Sequence, residues 1–316
     1  KGKEHGARPS LAVSKLKVID MTITYKNGNP EWIADQLIGA PGYRVLRAVP
    51  PSFSVMPSDG TMPGGRCVAI IDCETTGLDV QNDALIELAI MLAFVGVNGE
   101  LTGHFGPVSW LEDPGRELDP RITLLTGLTN KDLAGQAIED VTAAGLIDRA
   151  DICVAHNARF EISLIERRFP QFAGKPWACS ASDIDWLMLG YDGRAQQHLL
   201  MQHGRFANAH RAGDDVWSLF HLLKHQQPDP DGGTTRSHLQ RLLKAADTAT
   251  FRVEAVSAPY EAKDRLKARG YRWDAARKVW WKELRYEELT TECRWFRTQE
   301  LPPFRTAQVT SSQRHR

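Results

Sequence analysis

The sequence predicts an α/β protein in which helices flank a central mixed β-sheet, with a small α+β unit on each side of this domain along the chain. Residues 67–72, CVAIID, form a continuous apolar run, which is typical of a strand buried on both faces. Residues 84–97 form a second long apolar segment, and the Asn98-Gly99 turn leads into a third strand at residues 104–110. Strands and helices then alternate, as expected of an α/β domain.

The rest of this central domain, residues 67–224, is predicted from apolar periodicity and helix boundary signals. The predicted elements are helices at Pro120–Leu125 and Ile138–Ile147, a strand at Ile152–Ala155, and helices at Arg159–Phe169, Gln196–His203 and Asp214–Lys224. The pattern over Trp177–Leu189 is ambiguous between helix and strand.

Residues 1–66 are predicted as an N-terminal extension with a small strand-helix-strand unit followed by a linker. The unit consists of a strand at Val18–Tyr25, a helix at Pro30–Gly39 and a strand at Tyr43–Val49. Residues 50–66 contain four prolines and three glycines, which indicates a linker.

Three further segments follow the central domain. Residues 225–250 are predicted as a polar connector with a helix at Ser237–Ala246, and residues 251–297 as a small α+β unit. That unit should contain a strand, a helix, a hairpin and a final helix. Residues 1–18 and 298–316 are polar and lack periodicity, so both ends should be poorly ordered and residues 298–316 should form a flexible tail.

Composition excludes several classes of protein. The 316 residues are 42% hydrophobic and 25% charged, which is ordinary globular composition and excludes global disorder and coiled coil. The longest apolar stretch is too short to span a bilayer, and the N-terminal residues lack the apolar run of a signal peptide, so we expect no membrane association. Five widely spaced cysteines without a C-x-x-C pair favour reduced thiols in the cytoplasm and argue against a zinc cluster.

The formal net charge is zero, but its distribution along the chain is uneven. Residues 67–224 carry twelve Lys/Arg and twenty-two Asp/Glu, a net charge of −10, whereas residues 1–66 and 251–297 each carry +4. Solvated surface faces would account for this asymmetry. A carboxylate-rich metal site between segments that hold a polyanion is the functional interpretation.

Asp72 and Glu74 supply the strongest local signal. Residues i and i+2 of a strand point to one face with Cα atoms about 6.5 Å apart, so the two carboxylates should project together. Two such acids at the end of an apolar strand favour a divalent ion between them, because hard ions such as Mg²⁺ prefer carboxylate oxygen. A turn or helix-cap pair together with Thr75 and Thr76 is the alternative.

Two other segments carry candidate residues. In VAHNARFEISLI, residues 154–165, His156 and Asn157 should occupy a strand-to-helix turn, with Glu161 on the first helical turns. In AHRAGDDVWSLFHLL, residues 209–223, His210 precedes a helix whose first turn contains Asp214 and Asp215. Taken singly, these residues are equally compatible with a loop histidine, a solvated acid and helix-dipole partners.

Together, the three segments resemble the exonuclease motifs of the DnaQ-like family, the 3′–5′ exonucleases of the DEDDh type related to the epsilon subunit of DNA polymerase III. The matching segments are DCETTG at residues 72–77, HNARFE at 156–161 and HRAGDD at 210–215, and LTGLTNKDL at 125–133 resembles the family's connector. The resemblance covers residues 67–224 and implies a ribonuclease H-like fold.

The resemblance also implies a set of residue roles. Asp72, Glu74, Glu161 and Asp215 would hold two divalent ions, Mg²⁺ or Mn²⁺, and His210 would deprotonate the attacking water. Substrate would be contacted by Thr75, Thr76, His156, Asn157 and Arg211. One departure is that the family usually has Asp at the position of Glu161, which could displace the second ion and slow the enzyme.

The implied function is hydrolysis of DNA from 3′ ends, with single strands preferred, to release nucleoside monophosphates. A 3′–5′ exoribonuclease is one alternative, and a weakly active nucleic-acid-binding or polymerase-associated subunit is another. A DNA polymerase or repair protein is the expected partner. The segment LKARGYRWD…KVWWKE resembles an appendage of some bacterial members, and its tryptophans among basic residues could contact nucleic acid or simply form a core.

Overall fold

The computed structural model describes residues 29–57 and 61–316, and the chain divides into two units, residues 1–45 and 46–316. Helix α1 (Pro30–Leu37) belongs to the first unit. The helices of the second unit are α2 (Pro120–Thr126), α3 (Asn130–Leu133), α4 (Asp140–Arg149), α5 (Ala158–Arg168), α6 (Gln196–Gln202), α7 (Ala212–Leu223), α8 (His238–Asp247), α9 (Lys263–Ala268) and α10 (Leu289–Thr298). Its strands are β1 (Arg47–Ala48), β2 (Arg66–Thr75), β3 (Leu85–Val95), β4 (Leu101–Leu111), β5 (Ile152–Ala155), β6 (Trp177–Cys179), β7 (Arg205–Phe206), β8 (Gln226–Pro228), β9 (Thr235–Ser237), β10 (Thr250–Ala255), β11 (Arg272–Asp274), β12 (Val279–Leu284) and β13 (Arg305–Val309).

The five-stranded sheet confirms the predicted mixed sheet of the central domain. Its strand order is β4-β3-β2-β5-β6, in which β3 runs antiparallel to both β2 and β4. Strands β2, β5 and β6 run parallel to one another. All eleven residues of β3 are buried, which explains the long apolar run in the sequence.

Helices cover both faces of this sheet, as predicted for a ribonuclease H-like domain. Alternate residues of β2 and β3 face opposite sides, and each side has its own hydrophobic core. One core includes residues of α7 and α8, and the other includes residues of α4 and α5. The sheet is therefore the middle layer of three, and its ends are where polar side chains emerge.

Several predicted boundaries shift in the structure. Helix α7 begins at Ala212, two residues before the predicted start, and the ambiguous segment from Trp177 resolves as the short strand β6 followed by turns. Helix α1 ends at Leu37 rather than Gly39. The predicted strand at Val18–Tyr25 lies outside the described residues.

The predicted strand Tyr43–Val49 and the linker after it were only partly correct. Within Tyr43–Val49, only β1 is a strand, and it pairs in parallel with the equally short β7. Residues of the linker bond to the central domain, since Val55 forms a bridge with His104 and the indole N–H of Trp217 donates to the carbonyl of Pro50 at 2.7 Å. The linker is therefore attached at these points, which its proline and glycine content did not predict.

The C-terminal unit is built on a four-stranded antiparallel sheet in the order β11-β12-β10-β13. Helices α9 and α10 contribute Leu266 and Phe296 to its core, and Trp280 and Trp295 pack against this core. Two of the tryptophans that suggested nucleic-acid contact are therefore core material, whereas Trp273 is 51% exposed.

The prediction of a flexible tail at residues 298–316 was wrong. Strand β13 pairs with β10 through the backbone, and beyond it the N–H of Trp177 donates to the carbonyl of Ser311 at 3.0 Å. His315 pairs with Asp183 at 2.9 Å, and Arg316 pairs with Glu166 at 2.6 Å. Sequence periodicity missed this segment because β13 is a mostly exposed edge strand whose pairing relies on backbone groups.

No helix within residues 29–57 and 61–316 has the length and apolarity needed to cross a membrane.

Candidate active site

Three carboxylates meet where β2 ends and α7 begins. Asp72 and Glu74 lie on the same face of β2, and Asp215 lies in the first turn of α7, which packs against β2 and β3. One oxygen of each carboxylate is within 4.8 Å of an oxygen of each of the other two. The structure therefore brings together the first and third sequence motifs.

Glu161, from the second motif, lies in the first turn of α5 and is only 4% exposed. Its Oε2 atom is buried and has no hydrogen-bond partner among the described residues. Glu161 is not one of the three closely grouped acids, but its charge is among the causes that raise the pKa of Asp72. Glu161 is therefore close enough to interact electrostatically with this group of acids.

The pKa values of these carboxyl groups are raised, because their ionised forms are buried and repel one another. Burial and the charges of Glu161, Asp215 and Glu74 raise the pKa of Asp72 well above its usual range. Burial, followed by the charge of Asp215, raises the pKa of Glu74 to about 8, and burial raises that of Glu161 to about 8. The site holds more negative charge than its protein surroundings stabilise.

Divalent cations fit this donor set. The ligands offered are carboxylate oxygens, which hard ions such as Mg²⁺ and Mn²⁺ prefer, and an ion between them would offset their mutual repulsion. Asp72, Glu74 and Asp215 are close enough to share one ion, and the unpartnered oxygen of Glu161 offers a further ligand.

His210 is next to this group on the loop before α7. Its backbone adopts φ +65°, a conformation uncommon for residues other than glycine, and its N–H donates to Asp215 Oδ2 at 2.7 Å. The side chain is exposed, and the charge of His210 lowers the pKa of Asp215 against the larger effect of burial. The neighbouring acid Asp214 is exposed and lies outside the grouped carboxylates.

Arg211 is fixed by a carboxylate that the sequence reasoning missed. Its Nε and Nη2 atoms donate to the two oxygens of Glu87 at 3.0 and 3.2 Å, and Glu87 is only 2% exposed. Glu87 lies directly across from Glu74 in the β2–β3 register, and it also accepts from the N–H of Ala212 at 3.2 Å. A single acid inside the long apolar run of β3 was the available signal, because a charge in a buried strand needs a partner.

Two glutamines at the start of α6 were also missed. The Nε2 atoms of Gln196 and Gln197 donate to Asp215 Oδ1 at 3.4 and 3.3 Å, and Gln196 also donates to the Asp215 carbonyl at 2.9 Å. Nothing in their sequence pattern marked these residues, since they approach Asp215 only through packing of α6 against α7.

The remaining predicted substrate residues mostly serve the local fold. His156 uses both ring nitrogens, Nδ1 with the Ser180 hydroxyl at 2.8 Å and Nε2 with the Arg194 carbonyl at 2.7 Å, and burial lowers its pKa. The Thr75 hydroxyl donates to the Gly77 carbonyl, and that of Thr76 donates to Asp83 Oδ1 at 2.9 Å. Asn157 is exposed at the start of α5.

Comparison with known proteins identifies the class of this domain. Residues 69–222 match the model of the Exonuclease family named RNase_T. The chain thus carries a domain that belongs to this exonuclease family. The relatives of the chain include an epsilon subunit of DNA polymerase III, the type of protein that the sequence motifs resemble.

Two curated relatives illustrate the similarity. The chain is 37% identical over 108 residues to the DNA polymerase III subunit epsilon of Aquifex aeolicus, which covers 34% of this chain and 50% of that protein. It is 33% identical over 102 residues to the PolC-type DNA polymerase III of Streptococcus pyogenes, which covers 32% of this chain and 7% of that protein. The chain thus spans half or less of the length of these relatives.

Solved structures of exonucleases also match. One is Exonuclease X in complex with 5′ overhanging duplex DNA, with 25% identity over 48% of this chain and 86% of that chain and a TM-score of 0.36. Another is Exonuclease I of E. coli in complex with a dA16 oligonucleotide, with 15% identity over 59% of this chain and 48% of that chain and a TM-score of 0.41.

Proposed function

We propose that this chain is a metal-dependent 3′–5′ exonuclease of the DEDDh type that removes nucleotides from the 3′ ends of DNA, with single strands preferred. The observation that carries the proposal is the grouping of Asp72, Glu74 and Asp215 beside the buried Glu161 in a domain of the exonuclease family. Such a group of carboxylates is suited to binding divalent ions, which assist the hydrolysis of phosphodiesters.

In this proposal Asp72, Glu74, Glu161 and Asp215 hold two divalent ions, Mg²⁺ or Mn²⁺. When bound, such ions lower the pKa of the attacking water and stabilise charge on the phosphoryl group and the leaving 3′ oxygen. The hydrogen bonds from Gln197 and from the His210 backbone to Asp215 fix the orientation of that carboxylate.

His210 is the proposed general base. An exposed, neutral imidazole can accept the proton of the attacking water. Its backbone bond to Asp215 ties the position of this loop to a proposed metal ligand. His156 is unsuited to the role because both of its ring nitrogens are already hydrogen-bonded.

Arg211 is the proposed contact to a substrate phosphate. Its pairing with Glu87 fixes the guanidinium through two nitrogens, and the side chain still has 43% of its surface exposed. Because the guanidinium is already held in place, it loses little further conformational entropy when it contacts a phosphate. Asn157, also exposed, is a second candidate contact.

The C-terminal unit is a weaker candidate for substrate contact. Trp273 is exposed on β11, next to the exposed Arg272, and Lys278 is exposed in the turn before β12. An exposed aromatic ring among basic residues can stack on a base of a single strand. A cytoplasmic role with a DNA polymerase or a repair protein as partner belongs to the same proposal.

The experiment uses 5′-labelled single-stranded DNA and RNA of one sequence with the full chain. Mg²⁺ or Mn²⁺ should produce a ladder of labelled products shortened from the 3′ end of the DNA, together with nucleoside monophosphates, and a chelator should abolish it. Asp215→Asn should lower the rate by orders of magnitude, whereas Asp214→Asn, the matched control on the same helical turn, should leave it unchanged.

Three results would overturn parts of the proposal. Full activity in chelator would exclude the metal-dependent mechanism. Degradation of RNA alone would favour a 3′–5′ exoribonuclease. Binding of DNA without turnover under any metal would favour a weakly active, polymerase-associated subunit.

A further inference from the structure

Three histidines from three different segments meet on the α7 and α8 side of the sheet. His203 directly follows α6, His225 follows the C-cap of α7, and His238 is the first residue of α8. The hairpin β8–β9 brings the last two together, because the N–H of His238 donates to the carbonyl of His225 at 3.0 Å beside its base. Chain segments 35 residues apart therefore converge through defined secondary structure.

The ring nitrogens lie at distances that a metal ion would require. One nitrogen of each histidine is within 4.8 Å of a nitrogen of each of the others. The Nε2 atoms of His203 and His238 are 3.1 Å apart. Two imidazole nitrogens bound to one tetrahedral Zn²⁺ at about 2.0–2.1 Å would be about 3.4 Å apart, so a shift of a few tenths of an ångström would accommodate the ion.

Protonation of the rings also suits a metal. The Nδ1 of His203 is 2.6 Å from the carbonyl of Leu199, so this nitrogen carries the proton and Nε2 presents a lone pair to the cluster. Burial lowers the pKa of all three rings, that of His238 to about 3, and the charge of Arg241 adds to this effect at His225 and His238. The rings are therefore neutral near pH 7, which is the form that binds metals.

A hydrogen bond between two packed histidines does not account for the whole cluster. It would use only the Nε2 atoms of His203 and His238. It would also leave unexplained why His225, with its ring centroid 4.4 Å from that of His203, directs a nitrogen into the same space.

We propose that His203, His225 and His238 form a binding site for a transition-metal ion of the zinc type, separate from the carboxylate site. Imidazole nitrogens favour Zn²⁺ and related ions, whereas the carboxylates favour Mg²⁺ or Mn²⁺, so the two sites differ in the metal they take. His225 is exposed, which gives an ion access from solvent and leaves a fourth position for water. The cysteines do not contribute to it.

A bound ion would join the C-terminal ends of α6 and α7 to the start of α8. Helix α7 carries Asp215 in its first turn, and the loop with His210 follows α6 and β7. The ion would therefore hold α6, α7 and α8 together behind the candidate active site without contacting it. Its loss should lower the Tm more than it lowers the exonuclease rate.

The test uses the full chain after removal of metals, in saturating Mg²⁺ to occupy the carboxylates. Co²⁺ serves as the spectroscopic probe and Zn²⁺ as its competitor. The unsubstituted chain should bind one equivalent of Co²⁺ with visible d–d absorption of a nitrogen-ligated four-coordinate site, Zn²⁺ should displace it, and Zn²⁺ should raise the Tm. Asp72→Asn should leave all three readouts unchanged.

The variants separate a ligand from a neighbour. His225→Gln, an exposed position where folding is not at risk, should weaken Zn²⁺ binding on the order of 100-fold or more, beyond the range for an outer partner. His203→Gln should do the same, whereas His198→Gln, the matched control on α6, should bind like the unsubstituted chain.

Two results would overturn the proposal. Equal Zn²⁺ affinity and stoichiometry in His225→Gln and the unsubstituted chain would show that the cluster is a packed aromatic group without a metal. Loss of Zn²⁺ binding in Asp72→Asn but not in His225→Gln would assign the ion to the carboxylates.

Discussion

Replacing Glu74 by Gln should stabilise the metal-free protein above pH 6, although Glu74 is a proposed metal ligand. Burial and the charges of Asp215 and Glu87 raise the pKa of Glu74 from 4.5 to about 8, while Arg211 opposes them. Because the folded state binds this proton more tightly than the unfolded chain does, ionisation of Glu74 destabilises the fold. Glutamine keeps the shape and removes the charge.

The size of the effect follows from the pH interval. Below about pH 4.5 Glu74 is mostly protonated in both the folded and the unfolded states, so its ionisation has little effect on stability. Between about pH 4.5 and 8 it ionises mainly in the unfolded state, so the free energy of unfolding falls as pH rises. At about 1.4 kcal/mol for each pH unit, the cost reaches about 3 kcal/mol at pH 7. The gain from Glu74→Gln should therefore be near zero at pH 4.5, about 3 kcal/mol at pH 7 and somewhat larger at pH 8.

Urea unfolding in chelator at pH 5, 6, 7 and 8 measures this gain. Glu117→Gln is the matched control, because it makes the same substitution at an exposed position and should change stability little at any of these pH values. A parallel series in Mg²⁺ should reverse the order, since Mg²⁺ stabilises the unsubstituted chain by binding and Glu74→Gln loses a ligand.

Two results would refute this reasoning. A loss of stability in Glu74→Gln at pH 8 in chelator would mean that the carboxylate is stabilised by its surroundings. A gain that is equal at pH 5 and pH 8 would mean that it comes from something other than ionisation.

Three other predictions concern the site. His210→Asn should lower kcat about 10²–10⁴-fold through loss of the base but leave the urea midpoint unchanged, because asparagine tolerates positive φ. His156→Asn should instead lower the urea midpoint, and the reverse pattern would assign the base to His156. Glu161→Asp should retain or raise the exonuclease rate and Glu161→Gln should lower it strongly, and equal rates in both would make this acid a bystander. Arg211→Ala leaves the buried Glu87 without its guanidinium and should cost about 2–3 kcal/mol in urea unfolding, an expectation that an unchanged midpoint contradicts.

The central sheet was predictable because its signal is local. Strands β2 and β3 are buried on both faces, so their sequences are largely apolar runs, and Asp72 and Glu74 of the first motif lie near the C-terminal end of β2. The grouping of Asp72, Glu74 and Asp215 was likewise expected from the motifs, and the structure brings these three acids together.

Features that depend on packing between distant segments were not predictable in this way. Glu87 was read as part of an apolar strand, because its partner Arg211 is 124 residues away. Strand β13 has no apolar periodicity, since it pairs through backbone groups at a sheet edge. The histidine cluster depends on a short hairpin that joins α7 to α8, and single histidines in polar segments gave no signal.

Charge balance links the missed pair to the candidate chemistry. Arg211 is the cation that lowers the pKa of Glu74, but both of its oriented nitrogens are committed to Glu87, so the pair is neutral as a unit. Once metal binding has displaced their protons, the four site carboxylates, Asp72, Glu74, Glu161 and Asp215, carry four negative charges, which two divalent ions neutralise and one does not. With one ion the site would still repel a phosphodiester, whereas with two it becomes neutral and this repulsion is removed. Activity should therefore depend on the second power of Mg²⁺ concentration at low Mg²⁺, and a strictly first-power dependence at all concentrations would argue for a single ion.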